Sequence, residues 1–366
     1  MNEVRALFMA PTLTVGGAER QWATLLPLLR DRGFAATVVT LRHEGHFFDR
    51  LVEDGFDMRA LAMQSRFDMR GVIGALRLGW ARPDLVVTQS IDAHVLGRLV
   101  AATARIPHVT VEHAGPGFAQ RSHHGLAYRA IAPRVAAVVA VSEAQVPVLR
   151  DFHYPPERIR VIPNGIDTPP VARTRADVRT ELGVGDDELL AVLVATLRPE
   201  KRADLFVAAV AEAHTGDRRV RGVVVGSGPE LDRVRSLADA AGSTSVLGYR
   251  EKVGDLVGAA DVLCLTSEVE AMPMSILEAM ALGRAVVATN VGGVSGTAVA
   301  GETAVLVPAG DPTAFAGALR ALADDPARRA ELGENGRRIY LDRFTADRMA
   351  DSYASLLAAV ATAGAR

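Results

Sequence analysis

The chain has 366 residues, of which 49% are hydrophobic and 23% charged, with a formal net charge of -2. That length exceeds what one hydrophobic core usually holds, so two domains are expected, and the near-neutral balance without a basic stripe speaks against a nucleic-acid partner. The single cysteine, Cys264 in the apolar run ADVLCLTS, excludes a disulfide framework and a thiolate metal site and reads as a core filler of a cytosolic protein.

The first residues, MNEVRALFMAP, carry an acid at position 3 and too short an apolar stretch for a secretory signal. VRALFMA predicts a buried strand. It leads through the turn at Gly16-Gly17 into a helix whose apolar stripe, Ala18, Trp22, Leu25, Leu26 and Leu29, ends at Gly33. AATVVTL, DLVVTQS, HVTVEH, VAAVVAVS and RIRVIPNG follow as strand-like runs with helices between several of them, the pattern of a parallel sheet covered on both faces. Pro, Gly and charge then concentrate in NGIDTPPVARTRADVRTELGVGDDE, which marks a domain boundary, drawn at 167/168. Beyond it LLAVLVATL, VRGVVVGSG, STSVLG, DVLCLTS, AVVATN and AVLVP read as a second sheet, and TADRMADSYASLLAAVATA as a terminal helix. The expected layout is an α/β protein of two doubly wound domains, 1–167 and 168–345, with a cleft between them and a helix at 346–366 able to pack back on the first. No run of about 18 uncharged apolar residues occurs, so a bilayer span is not expected, although peripheral contact with a membrane stays open.

Sheets of this kind bind ligands outside the carboxyl ends of their strands, which directs attention to the strand-to-helix turns. Gly16 and Gly17 offer bare backbone either to a ligand or to a structural turn. In TLRPEKRADLF, Arg198 and Lys201 follow a strand, and two cations there suit a diphosphate, the other reading being a solvated turn paired with Glu200. VVVGSGPELDRV carries half of a dinucleotide fingerprint at Gly226, too little for a nicotinamide site. VEHAG sets Glu112 and His113 at a strand end before Gly115 and Gly117, with His113 either structural or available to a sugar hydroxyl. His123 and His124 read as loop. In EVEAMPMSILEAMALG, Pro273 suits a helix start, so Glu270 precedes the helix and Glu278 lies inside it. The two carboxylates fit either a ligand site or a helix dipole with a solvated face. No histidine or carboxylate motif has metal-ligand spacing, so neither a metal nor another cofactor is expected.

Taken together, APTLTVGGAER, VIPNGID, LRPEK, VGSGPELDRV, the block from 248 to 293 and ETAVLVPAGDP resemble glycosyltransferase family 4, the retaining nucleotide-sugar enzymes of GT-B fold, over nearly the whole chain. The resemblance implies two Rossmann-like domains facing a central cleft. It implies Glu270 at the donor hexose, Glu278 at the ribose hydroxyls, and backbone of Ala271, Met272, Pro273, Met274, Ser275 and Ile276 at sugar and diphosphate. Arg198 and Lys201 would hold the diphosphate, Gly16-Gly17 would face it from the first domain, Gly226 would lie near the donor, and His113 near the reacting sugar. Glu268 has no implied role and reads as solvated.

The implied activity is hexosyl transfer from a nucleotide diphosphate sugar, a uridine diphosphate sugar by family habit, to a hydroxyl acceptor in a glycan, lipid carrier or small molecule. The setting would be the cytoplasm or the inner face of the membrane. Epimerase or phosphorylase chemistry on the same plan, or a non-catalytic partner subunit, are the alternatives. Three departures bear on them: Thr196 stands where many members have arginine, Ala271 where glycine is usual, and Gly296 where glutamate is common.

Overall fold

The computed structural model describes residues 3–14, 16–42, 45–65, 68–113, 125–215 and 219–364. The chain divides into two compact units, residues 1–165 with 346–366, and residues 166–345.

The first unit runs β1 (Val4–Ala10), α1 (Gly17–Arg30), β2 (Phe34–Thr40), α2 (His46–Glu53), β3 (Asp57–Ala60), α3 (Met69–Trp80), β4 (Leu85–Gln89), α4 (Ile91–Ala104), β5 (His108–Glu112), α5 (Gly125–Ile131), β6 (Ala137–Ala140), α6 (Val146–Asp151) and β7 (Ile159–Val161). Among the described residues its seven strands pair in the order β3-β2-β1-β4-β5-β6-β7, all parallel. Central strands buried on both faces need continuous apolar runs, which is why LVVT and VRALFMA show no polar alternation. The core on one face is anchored by Trp22, fully buried and edge-on to Phe8 at 5.3 Å.

The second unit runs α7 (Arg175–Glu181), β8 (Leu189–Val194), α8 (Ala203–Ala213), β9 (Val220–Val225), α9 (Leu231–Ala241), β10 (Thr244–Val246), α10 (Gly254–Ala259), β11 (Val262–Leu265), α11 (Met274–Ala281), β12 (Ala285–Thr289), α12 (Val294–Thr297), β13 (Ala304–Val307), α13 (Pro312–Asp324) and α14 (Pro326–Arg343). Its described strands form a six-stranded parallel sheet, β10-β9-β8-β11-β12-β13. Cys264 is buried at the β8/β11 seam opposite Leu193, and burial pushes its thiol up, away from ionisation.

The last helix, α15 (Ala346–Gly364), belongs to the first unit. There Tyr353 is buried and its hydroxyl accepts a bond from Gln21 Nε2 at 3.1 Å, while Arg32 pairs with both Asp347 and Asp351.

The sequence predicts six strands for the first unit, and its described residues form seven: β3, with the sequence DMRA, has three of its four residues exposed at the sheet edge, where no apolar pattern is required.

Candidate functional site

In both sheets the strand order reverses beside the first strand of the unit, between β1 and β4 and between β8 and β11. At such a reversal the loops leaving neighbouring strands diverge to opposite faces and open a crevice at the carboxyl ends. In the second unit those two loops are 195–202, after β8, and 266–273, after β11. They carry Arg198 and Lys201 on one side and Glu270 to Pro273 on the other.

The two loops are stitched together. Thr266 Oγ1 donates to the carbonyls of Lys201 and Arg202 at 3.0 and 2.9 Å, and the amide of Glu268 donates to the Glu200 carbonyl at 2.8 Å. Arg202, in the left-handed region at φ 49°, bonds Asp204 at 3.0 Å and Glu268 at 2.7 Å. Asp204 first, then Glu268, hold its guanidinium above the usual range. Glu268 is thus exposed but paired, which corrects its reading as a merely solvated acid: the chain reversal at Arg202 turns a cation toward it.

Lys201 does not pair with Glu200. Its Nζ lies 2.6 Å from Glu270 Oε1, and Ser267 Oγ donates to the same oxygen at 2.7 Å. Glu270 is buried, and its carbonyl accepts the amide of Gly293 at 2.9 Å, so the loop is fixed from below by the β12–α12 turn. Arg198 is exposed and makes no ion pair among the described residues.

α11 begins at Met274. Pro273 occupies the N-cap with extended backbone (φ -76°, ψ 120°) rather than the first helical position. The first-turn amides of Met274, Ser275 and Ile276 therefore have no intrahelical acceptor and carry the positive end of the helix dipole. Glu278 is buried, at 2% exposure, so the reading of a solvated helix face fails: α11 buries most of its circumference. Ala271 and Met272 link Glu270 to this helix start, Ala271 partly exposed and Met272 buried.

Gly226 has a structural task. A Cβ there would meet Ala195 O at 1.8 Å, its φ is +143°, and its amide is bonded to Gly248 O at 2.9 Å. The glycine lets the β9–α9 turn press on the β8 loop, which helps to hold Arg198 and Lys201, but its amide is already engaged. At Gly296 a side chain would meet open space.

Among the first-unit candidates, Gly16 is the N-cap of α1 in extended conformation and Gly17 its first residue. His113 follows β5. Its Nε2 is shielded and has no hydrogen-bond partner among the described residues, and burial lowers its pKa to about 4, so the ring is neutral at pH 7. Gly115, Gly117, His123 and His124 lie outside the described residues. Beneath His113, the buried Glu112 carboxylate has His94 Nε2 at 3.0 Å and the hydroxyls of Tyr154 and Tyr128 at 3.1 and 3.4 Å. Thr88 Oγ1 bridges His94 and His108, 2.7 Å from each.

Sequence reasoning missed Thr266, Ser267 and Arg202. Ser267 and Glu270 do show Ser-x-x-Glu spacing, but that pattern ordinarily marks a helix cap, and only the fold turns it into a side-chain bond within a loop.

Residues 174–339 match the family described as glycosyl transferases group 1, and residues 15–169 match glycosyltransferase family 4. Among solved structures, HepE of Anabaena in complex with UDP and glucose is similar with a TM-score of 0.85 and 22% identity, covering 97% of this chain and 100% of that one. Sucrose-phosphate synthase of Thermosynechococcus elongatus has a TM-score of 0.83 and 20% identity, covering 98% and 100%. The D-inositol 3-phosphate glycosyltransferase of Acidothermus cellulolyticus is 34% identical over 194 residues, 48% of this chain and 43% of that protein. The N-acetyl-alpha-D-glucosaminyl L-malate synthase of Bacillus anthracis is 26% identical over 223 residues, 60% and 58% of the two chains. The chain spans about half the length of the curated relatives it matches.

Two doubly wound parallel sheets with these matches define the GT-B fold of the glycosyltransferases. Residues 15–169 carry the glycosyltransferase family 4 region and residues 174–339 the glycosyl transferases group 1 region, which together make the chain similar to the family 4 glycosyltransferases. No helix among the described residues is long and apolar enough to cross a membrane, and no cluster of three or more His, Cys, Asp or Glu among them is placed to hold a metal ion.

Proposed function

We propose that this protein is a retaining hexosyltransferase that moves a hexosyl group from a nucleoside diphosphate sugar, with uridine as the base, to a hydroxyl acceptor. The observation that carries the reading is the meeting of Lys201 and Glu270 at 2.6 Å beside the start of α11, at the strand reversal of the second sheet.

Glycosyl transfer leaves negative charge on the departing diphosphate while positive charge grows on the sugar ring. In this reading Lys201, Arg198 and the amides of Met274 to Ile276 stabilise the first, as charge and dipoles already in place where the new charge appears. Glu270 takes the sugar hydroxyls and Glu278 the ribose. Gly16-Gly17 are assigned to the diphosphate and His113, in neutral form, to the sugar. The acceptor hydroxyl gives its proton to the departing phosphate and attacks the face that phosphate leaves, so configuration is kept without a protein nucleophile. Neutralisation of the leaving group is assigned to these protein cations, with no metal or other cofactor. The action is placed in the cytoplasm.

The similar proteins support the donor and acceptor classes. HepE was solved with UDP and glucose, and the two curated relatives are named for glycosyl transfer to D-inositol 3-phosphate and for making a glucosaminyl malate.

The test is calorimetric titration of UDP, GDP, ADP and dTDP with chelator present, followed by turnover of the matching sugar nucleotides and NMR of the product's anomeric proton. Selective binding of UDP and a product that keeps the donor's configuration are expected. Binding of no nucleoside diphosphate, or an inverted product, would overturn the donor or the mechanism respectively.

A further inference from the structure

A buried carboxylate is clamped at the end of β5, one residue before His113. Glu112 is buried, and donors reach it from three other segments. The hydroxyl of Tyr154, which follows α6, lies at 3.1 Å, that of Tyr128 on α5 at 3.4 Å, and His94 Nε2 on α4 at 3.0 Å in a bent contact. Tyr154 accepts from Thr110 Oγ1 at 3.3 Å, so its own hydrogen points to Glu112. Burial first, then Glu112, raise both phenols and keep them protonated as donors.

The histidine tautomers follow from Thr88. Its hydroxyl has one hydrogen for two ring nitrogens, each 2.7 Å away, so one ring donates to it and the other accepts. Burial keeps His108 neutral, with a single N–H. With that N–H on Nε2, Thr88 donates to His94 Nδ1, and His94 turns its Nε2–H toward Glu112. The opposite wiring would set a nitrogen lone pair against a carboxylate oxygen. It would also bury an unpaired N–H at His108 Nδ1, which has no partner among the described residues.

The main chain is held as well. Gln145 Nε2 donates to the Glu112 carbonyl at 3.2 Å, while its Oε1 accepts the amide of Val141 at 2.7 Å. That carbonyl belongs to the peptide joining Glu112 to His113, so side chain and peptide plane are fixed together where His113 begins. Tyr128 stacks on Phe152 with ring centres 4.0 Å apart and meets Tyr154 edge-on at 6.2 Å, which restrains both donors. Apolar residues would fill this volume with less desolvation cost. A satisfied polar network instead gives rigidity, and the chain leaves it at the shielded, neutral His113, whose Nε2 has no partner among the described residues.

We infer that Glu112 is a positioning residue: its clamp by His94, Tyr128, Tyr154 and Gln145 sets the His113 ring toward the sugar that the transfer reading, on which this inference rests, assigns to it.

Glu112→Gln keeps the shape, with the amide oxygen toward His94 and Tyr154 and the nitrogen toward Tyr128, and should hold turnover of UDP-glucose within about threefold. Glu112→Leu removes the acceptor, and Gln145→Met frees the peptide while keeping the carboxylate. Each should lower kcat about ten- to hundredfold, the size of an ångström-scale misplacement, with UDP affinity unchanged. In a His113→Ala background neither should cost more than about twofold further, because residues that act through one another are not additive.

NMR titration of His113 gives a readout that needs no turnover. If the ring keeps its seat, losing the Glu112 charge lowers its pKa below about 4; if it leaves its shielded seat, the pKa rises toward about 6.5. A rise is expected in Glu112→Leu and Gln145→Met and not in Glu112→Gln. The inference is overturned if His113 rises in neither disruptive variant, or if their costs add to that of His113→Ala. Should Glu112→Leu fail to fold, Gln145→Met decides. Absence of UDP binding and turnover in the unchanged protein would remove the transfer reading, and the titration would still decide whether Glu112 sets the ring.

Discussion

Lys201 and Glu270 hold each other across the strand reversal of the second sheet, Nζ to Oε1 at 2.6 Å, with Ser267 clamping the same oxygen at 2.7 Å. A diphosphate must therefore compete with an internal carboxylate for the lysine. Glu270→Gln removes the competitor and leaves a lysine in need of an anion. UDP affinity should rise about five- to tenfold while turnover falls, since an unpaired charge in a shielded site gains more from a phosphate than a paired one does. UMP affinity should not change. Calorimetry of both nucleotides checks it, and weaker UDP binding by Glu270→Gln would refute the competition.

Lys201→Ala tests the leaving-group role. Loss of a charge placed at the developing diphosphate should cost about 3 kcal/mol in the transition state, about a hundredfold in rate. Pre-steady-state turnover with UDP-glucose measures it, and a fall below threefold would remove the assignment.

Glu278 is buried on α11, where a carboxylate that receives ribose hydroxyls would make charge-assisted bonds. Glu278→Gln keeps the volume and should weaken UDP and UMP alike by about tenfold, the size of one such bond. If UDP and UMP binding stay unchanged, the ribose contact lies elsewhere.

Two glycines should respond in opposite ways. Gly226→Ala would place a methyl 1.8 Å from Ala195 O at φ +143° and should lower stability by about 3 kcal/mol or more. Gly296→Glu faces open space and should change stability by less than about 0.5 kcal/mol. Chemical denaturation of both variants separates the cases.

Stability should fall in mild acid. Burial first, then the neighbouring His94 and Arg98, keep His108 well below its usual range, and burial brings His113 to about 4. The unfolded chain binds these protons from about pH 6.5 and the folded chain only at lower pH, so stability is present above 6.5 and is lost as pH drops toward 4. The slope is about 1.4 kcal/mol per pH unit for each histidine inside that window. Denaturant midpoints from pH 7.5 to 5.0 should decline, and less steeply in His108→Gln. Identical slopes would show that His108 is not the group responsible.

Much of the second unit was legible along the chain, because a parallel sheet demands continuous apolar strands and because Pro273 separates Glu270 from the helix that carries Glu278. Edge strand β3 was not, since an exposed edge imposes no pattern on DMRA. Nor was the pairing of Lys201 with Glu270 instead of Glu200: local spacing favours the neighbour one residue away, and only the β8/β11 seam brings position 270 within reach.

The amino-acid sequence by itself determined the alternation of strands and helices, the strand-to-helix turns that bear the charges, and the family. Those features rest on local periodicity and on residue types at fixed short spacing. The tertiary structure alone decided which of the charges meet, that Gly226 spends its amide on Gly248, and that Glu268 is held by Arg202. Such facts depend on distances between residues far apart in the chain, which the order of strands in the sheet sets and no local pattern encodes.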